Sequence, residues 1–234
     1  MIIGDGLIAK AFGYYKNNPK VLIFASGVSN SKSCSADEYS REKHLLKSEL
    51  LKINGDILFV YFSSCSLTNG NLKNDLYHLH KKEMEAIIEQ SGKKFSIFRL
   101  PNIIGKTNNK RTLFTFLFYK IYTNQVFELW RGTKRNLLDI DDAVRIVRYI
   151  IDNDLFINEV TNVANIKQIS TEEIVKEIEK FLGMKAKVKN VDITENFNID
   201  TKKVESILDK VGINFDDNYL QKVLLKYAQE YLHE

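Results

Sequence analysis

The sequence predicts an α/β protein: a reduced, doubly wound parallel sheet with a small C-terminal α/β lobe. Three observations carry this. Short apolar runs alternate with amphipathic stretches from the first residue to about Leu100, the order that buries a parallel sheet under helices on both faces. Glycines stand at the first strand-to-helix turn, Gly4-Asp5-Gly6. Tyr77 and Lys81 lie four residues apart in a segment, Asn74 to Gln90, that reads as a helix, which sets a phenol and an ammonium on one helix face.

In chain order, Met1-Ile2-Ile3 reads as a truncated strand, and a helix follows from Leu7 to about Lys16. Val21 to Ala25 is a continuous apolar run, hence a buried strand. Ser35-Ala36-Asp37-Glu38 has capping-box form and opens a helix to about Lys52. A strand from Asp56 to Phe62 ends in Ser63-Ser64-Cys65-Ser66; the helix with Tyr77 and Lys81 comes next, and then a strand from Phe95 to Leu100 ends at Pro101-Asn102. The second half is less regular. Leu113 to Tyr122 is an aromatic-rich helix, and Phe127 to Trp130 and Asn136 to Leu138 are short strands. Asp141-Asp142 cap a helix whose Val144, Ile146, Val147, Ile150 and Ile151 form an apolar face. Val160 to Val163 is a strand. Ser170 to Glu173 is a second capping box, and Ile174, Val175, Ile178, Phe181 and Leu182 follow with a period of 3.6. Two further helices, near Thr201 to Lys210 and Asp217 to Leu232, close the chain. The main domain is expected over residues 1–165, with 102–135 contributing to the lobe, and the lobe itself over 166–234.

Composition bounds the function. With 234 residues, 44% hydrophobic and 27% charged, the chain suits one globular domain or a domain with a small lobe. No apolar run approaches the roughly 20 residues that span a bilayer, and the N-terminus lacks the basic flank and apolar core of a signal peptide. Two cysteines, Cys34 and Cys65, make no disulfide framework, so a reducing cytoplasm is expected. The net charge of +4 comes from lysines scattered on polar helix faces, a solvated surface rather than a nucleic-acid footprint. The four histidines form no metal-ligand spacing.

Two motifs bear chemistry. A phenol is a poor base at neutral pH, and a fixed cation beside it favours the phenolate; Tyr77 and Lys81 have the spacing for this, although an exposed polar pair has it too. Gly4-Asp5-Gly6-Leu7-Ile8-Ala9 fits G-x-G-x-x-A between a strand and a helix, where backbone N–H groups can meet a pyrophosphate. The other reading is an ordinary β–α turn that needs glycine.

With these and four further segments the chain resembles an extended short-chain dehydrogenase/reductase of the NAD-dependent nucleotide-sugar epimerase/dehydratase family. The landmarks occur in family order: the glycine turn; Leu22 to Gly27; Phe62-Ser63-Ser64-Cys65; Tyr77-His78-Leu79-His80-Lys81; Arg99-Leu100-Pro101-Asn102-Ile103-Ile104-Gly105; and Gly132-Thr133-Lys134-Arg135 followed by Asp139 to Ala143. The resemblance implies a reduced Rossmann-like domain and a substrate-binding C-terminal lobe. It implies NAD or NADP held by Gly4, Gly6, Leu7, Ile8, Ala25, Ser26, Lys81 and Pro101. It makes Tyr77 the acid/base with Lys81, and Ser64 or Cys65 the donor to the sugar oxygen. Ser66, Asn102 and Arg135 would bind the nucleotide-diphosphate sugar. Arg135 as a solvated surface residue and Asn102 as a turn cap are the alternatives. A homodimer is common in the family.

Three departures qualify the resemblance. Counting back from Gly70 places Cys65, a weak donor, where Ser or Thr is expected, with Ser64 or Ser66 as substitutes. The segment from Cys65 to Tyr77 is short for the family. The chain reaches Leu22 too early, so the βα units for adenosine are missing; no acid falls between Asp5 and Asp37, and no arginine before Arg41. Lys10, Lys16, Lys20 and Lys32 remain as candidates to meet a phosphate. The implied activity is epimerisation or keto-sugar reduction rather than dehydration, since no acidic pair follows the serine strand. The alternative is a non-catalytic sugar-nucleotide binding or assembly module without dinucleotide chemistry.

Overall fold

The computed structural model describes residues 1–28, 35–68, 75–107, 109–193 and 198–232. Lys32, Cys34, Gly70, Asn74 and His233 lie outside the described residues. Strand β1 (Ile2–Ile3) leads through Gly4 into α1 (Leu7–Ala11), then a 3₁₀ turn (Gly13–Tyr15) and β2 (Val21–Phe24). Next come α2 (Ala36–Lys52), β3 (Leu58–Ser64), a 3₁₀ turn (Cys65–Thr68), α3 (Leu76–Glu89) and β4 (Phe95–Leu100). The expected helix to Lys16 is therefore a short α-helix continued as 3₁₀. The serine-rich segment divides, its first two serines in the strand and Cys65 and Ser66 in the turn.

The less regular half carries β5 (Asn102–Ile104), α4 (Leu113–Tyr122), β6 (Val126–Arg131), β7 (Lys134–Arg135), β8 (Leu137–Asp139), α5 (Ile140–Asp152) and β9 (Glu159–Asn162). It ends with β10 (Ile169–Ser170), α6 (Thr171–Leu182), β11 (Lys187–Asp192), α7 (Lys202–Glu205), α8 (Leu208–Val211) and α9 (Tyr219–Leu232). Both capping boxes are formed, Ser35 with Glu38 and Ser170 with Glu173. The cap of α5 is Asp139, whose carboxylate accepts from the Asp141 N–H; Asp141 and Asp142 lie in the first turn, where they favour the positive helix end.

The main sheet is parallel throughout, in the order β1-β2-β3-β4-β9. Strands β2, β3 and β4 are largely apolar on both sides, as burial on both faces requires. One face, with Ile23, Val60, Phe62 and Phe98, packs on α1, the first 3₁₀ turn and α5; this core continues through α4, α6 and α9. The other, with Phe24, Phe59, Tyr61 and Ile97, packs on α2 and α3 through Leu46, Leu50, Met84 and Ile88. The fold is Rossmann-like, with helices on both faces. The strand order nevertheless runs one way from β1, and β1 is an edge. The first three crossovers step in the same direction, yet α1 lies on the face opposite α2 and α3. The first crossover is therefore opposite in hand to the next two.

The short strands pair far along the chain: β5 with β8 in parallel, β6 with β11 in parallel and β7 with β10 antiparallel. Among the described residues no helix is long and apolar enough to cross a membrane.

Candidate functional site

Parallel pairing brings the carboxyl ends of β1 to β4 to one end of the sheet, the place where open α/β sheets bind ligands. Gly4 and Gly6, Leu7 and Ile8, Ala25 and Ser26, Ser64, Pro101 and Asn102 all lie there. Gly4 has φ +121°, and a Cβ on it would stand 2.5 Å from the Ala25 carbonyl oxygen, so only glycine lets the exit of β1 pass β2. A Cβ on Gly6 would meet nothing within 4 Å, so that side of the turn is open. Helix α3 begins at the same end, with Asp75 accepting from the Tyr77 N–H at 2.7 Å.

Lys81 is 3% exposed, and its ammonium nitrogen lies 6.0 Å from the centre of the Tyr77 ring. That ammonium is bound from below. It donates to Glu42 Oε1 at 3.1 Å and to the Tyr61 hydroxyl at 2.9 Å, and Tyr61 in turn donates to Glu42 Oε1 at 2.7 Å. The second Glu42 oxygen accepts from the Val28 N–H at 2.6 Å and lies 3.0 Å from His80 Nε2. Burial alone would raise the Glu42 pKa. The hydrogen bond from His80, the Lys81 charge and the bonds from Val28 and Tyr61 outweigh it and bring the carboxyl down to about 2. Burial, then the Glu42 charge, pushes the Tyr61 phenol well above its ordinary value. Gly27 closes over this cluster: a Cβ there would stand 2.8 Å from the Lys81 ammonium. Glu42 is absent from the sequence expectations. Its signal is the spacing of Glu42, Leu46, Glu49 and Leu50, which sets a carboxylate on the buried stripe of α2.

The serine end departs from expectation. Cys65 is 1% exposed, packs with Ala164 and Ile199, and donates to the Arg99 carbonyl at 3.1 Å. Burial pushes its thiol up to about 12. The side chain expected at the sugar oxygen is thus spent inside the molecule. Ser64 and Ser66 are half-buried, their hydroxyl oxygens 2.7 Å apart, and Ser66 Oγ lies 2.8 Å from His78 Nε2.

Asn102 bonds to Asn136, the residue after Arg135 in the chain. The Asn102 side chain donates to the Asn136 carbonyl at 3.1 Å, and the Asn136 side chain donates to the Asn165 carbonyl at 2.6 Å. Asn165 N–H returns a bond to Asn136 Oδ1 at 3.1 Å. Arg135 is half-buried on β7, its guanidinium carbon 5.9 Å from the centre of the Trp130 ring. Trp130, Asn136 and Asn165, which touch Arg135, Asn102 and each other's surroundings, carried no sequence signal, because their partners lie far along the chain or are met only in the fold.

A nicotinamide dinucleotide fits one half of this end. The glycine turn is open for a pyrophosphate. An ammonium has three donors; Glu42 and Tyr61 take two at Lys81, and a ribose hydroxyl would suit the third. Among the described residues the adenosine half finds no acid, because β1 is the edge of the described sheet, where a strand bearing an acid for the ribose would pair. No group of His, Cys, Asp and Glu among the described residues could hold a metal ion.

A profile of the NAD dependent epimerase/dehydratase family matches residues 49–164. No curated protein sequence matches the chain. Among solved structures, the fold is similar to UDP-N-acetylglucosamine 4-epimerase from Methanobrevibacter ruminantium M1 in complex with UDP-N-acetylmuramic acid. There the TM-score is 0.69 and the identity 18%, over 95% of this chain and 80% of that one. It is similar to UDP-glucose 4-epimerase from Thermotoga maritima with UDP-glucose (TM-score 0.68, 15% identity, 97% and 82% covered). It is also similar to the Bordetella bronchiseptica enzyme WbmH in complex with NAD+ (TM-score 0.68, 15% identity, 96% and 81% covered). Residues 49–164 thus resemble the NAD dependent epimerase/dehydratase family, and the fold as a whole is similar to that of these solved structures.

Proposed function

We propose that this protein is an oxidoreductase or epimerase acting on a nucleotide-activated sugar, with Tyr77 as its acid/base. The observation that carries the reading is the Lys81 ammonium beside the Tyr77 ring at the carboxyl end of the sheet, with Ser64 at that same end. A nicotinamide dinucleotide, when bound, takes and returns a hydride at the sugar carbon. The chain's own groups manage the oxygen. Tyr77 exchanges a proton with the sugar hydroxyl, and the Lys81 charge stabilises the phenolate that forms. Ser64 donates to that oxygen in place of Cys65, whose thiol faces inward. Asn102 and Arg135 hold the diphosphate, for which the arginine fork is suited. Backbone groups from Gly4 to Ile8 meet the dinucleotide pyrophosphate; Ala25, Ser26 and Pro101 line the nicotinamide side.

Tyr77→Phe tests the reading. It keeps the ring packing and removes the proton, so turnover of UDP-glucose or UDP-N-acetylglucosamine should fall by roughly 10²–10⁴-fold, with the circular dichroism unchanged. Wild-type turnover in that variant ends the assignment.

A second reading, a sugar-nucleotide binding or assembly module without hydride chemistry, is favoured by two observations: β1 is an edge strand, and Lys81 is tied to Glu42. Titration of NADH followed by its fluorescence separates the two. Saturable binding supports the enzyme; no binding, together with retained UDP-sugar affinity, supports the module.

A further inference from the structure

We infer that His78 is a positioning residue that sets, through Ser66, whether the Ser64 hydroxyl donates or accepts at the sugar oxygen. This rests on the reading of the sheet's carboxyl end as the sugar site.

The three side chains form a continuous line. Ser64 Oγ lies 2.7 Å from Ser66 Oγ, and Ser66 Oγ lies 2.8 Å from His78 Nε2. The Ser66 N–H also donates to Ser64 Oγ at 3.2 Å, which fixes the near end of the line. His78 is 4% exposed, and its Nδ1 lies 3.7 Å from Asp75 Oδ1. Two other residues of α3 bear on the ring's surroundings: Tyr77 stands edge-on at 5.5 Å, and Lys81 is closed in a pair with Glu42 of α2. On β4, Arg99 is closed in a pair with Glu85.

A hydroxyl has one proton, so a line of two hydroxyls ending on a ring nitrogen takes its direction from that nitrogen. The Asp75 carboxylate, at 3.7 Å beyond hydrogen-bond range and already accepting from the Tyr77 N–H, favours the N–H at Nδ1 by its charge alone. In the neutral ring Nε2 then carries a lone pair. Ser66 donates to it, Ser64 donates to Ser66, and Ser64, which also accepts from the Ser66 N–H, turns only a lone pair outward. In the protonated ring Nε2–H donates to Ser66, Ser66 donates to Ser64, and the Ser64 proton points outward. The first state suits a sugar hydroxyl, which has a proton to give. The second suits the carbonyl that oxidation makes of it, which has none. The change between them is one proton gained at Nε2 and the rotation of two O–H bonds, with no bond to carbon altered. Cys65 could not serve this line, since its thiol is committed to Arg99.

The test uses the full chain with ¹⁵N-labelled histidine and needs no ligand. Ring nitrogen shifts should show neutral His78 as the Nδ1–H tautomer. Ser66→Ala should move the His78 ionisation, and Ser64→Ala, one hydroxyl further from the ring, should still move it in the same direction and by less. An Nε2–H tautomer, or an ionisation that Ser64→Ala leaves in place, overturns the inference. In turnover of UDP-glucose or UDP-N-acetylglucosamine, His78→Gln offers Ser66 an amide that never titrates. It should remove one ionisation from the pH dependence of kcat while KM stays within about twofold; an unchanged pH profile overturns the inference. If neither sugar is turned over, the ring spectra decide alone. Full activity of Tyr77→Phe with the expected ring spectra would remove the sugar reading and leave the wiring intact.

Discussion

A carboxylate with no exposed surface survives only when its oxygens are partnered, and Glu42 takes Lys81, Tyr61, His80 and the Val28 N–H. Glu42→Gln removes the anion and leaves the Lys81 ammonium buried without it. The expected loss is about 3–5 kcal/mol in urea unfolding. The pH dependence follows from the lowered carboxyl. Its folded value, about 2, lies below the ordinary 4.5, so its contribution to stability is whole above about 4.5 and lost as pH falls toward 2. Acid titration of the wild type should show this loss, and Glu42→Gln should flatten it. That Tyr77 and Lys81 lie side by side was legible, because one helix sets their spacing. Glu42 was not, because it meets Lys81 from a different helix across 39 positions. At Arg135 the expectation is different: Arg135→Ala should weaken UDP binding by roughly 1.5–3 kcal/mol, the range for a hydrogen bond to a charged group, and spare NADH. Calorimetry that finds equal UDP affinity would remove Arg135 from the diphosphate site.

Among elements, the glycine turn and the second 3₁₀ turn carry the sharpest consequences. Gly4→Ala forces a Cβ against the Ala25 carbonyl at a backbone angle side chains rarely adopt, so it should cost roughly 1–3 kcal/mol. Gly6→Ala, in open space at a negative φ, should cost less, and urea midpoints of the two variants compare them. The turn after β3 revises an expectation. With Cys65 at the expected donor position, a serine there would add a better donor to the sugar oxygen. Because the side chain faces Arg99, the serine variant should keep the fold and gain no turnover, which a melting curve and one assay check. The helices were readable wherever a capping box met an apolar stripe, as in α2 and α6. Strands β5, β7, β10 and β11 were not. Two or three residues carry no period, and β11 pairs with β6 some sixty residues back. The single helix expected from Thr201 to Lys210 is broken at Ser206 and Ile207 into α7 and α8.

For the molecule as a whole, the sheet that ends at β1 decides how a dinucleotide is held. On the proposed reading the contacts lie at the pyrophosphate and the nicotinamide ribose, and among the described residues the adenosine end offers no matching acid or arginine. Two missing charge-assisted bonds, each worth roughly 1.5–3 kcal/mol, weaken binding by roughly 10²-fold or more. Discrimination between NAD and NADP should be poor; dissociation constants for both, measured on one preparation, check this. Tight binding with a strong preference would reveal an adenosine site built from other residues. The gap was visible in the sequence as the early arrival of Leu22, whereas the absence of a reversal in strand order needed the pairing of β1 with β2 to be seen.

The reversed hand of the first crossover bears on the order in which the molecule assembles. Strands β2, β3 and β4 are joined by two crossovers of one hand over a shared core, a unit that can nucleate by itself. β1 offers two residues, and its approach through α1 closes on the other face. It should dock late and open first. The Ala25 amide, which donates to the Ile3 carbonyl at 2.8 Å, reports this directly: its hydrogen should exchange faster than those between β3 and β4. Ala25 to Gly27 also hold the rim of the ligand end, so that end is finished only when β1 arrives. A ligand spanning the Gly4 turn and the Ala25 rim would then act as a clasp, slowing the opening of β1 in proportion to its occupancy.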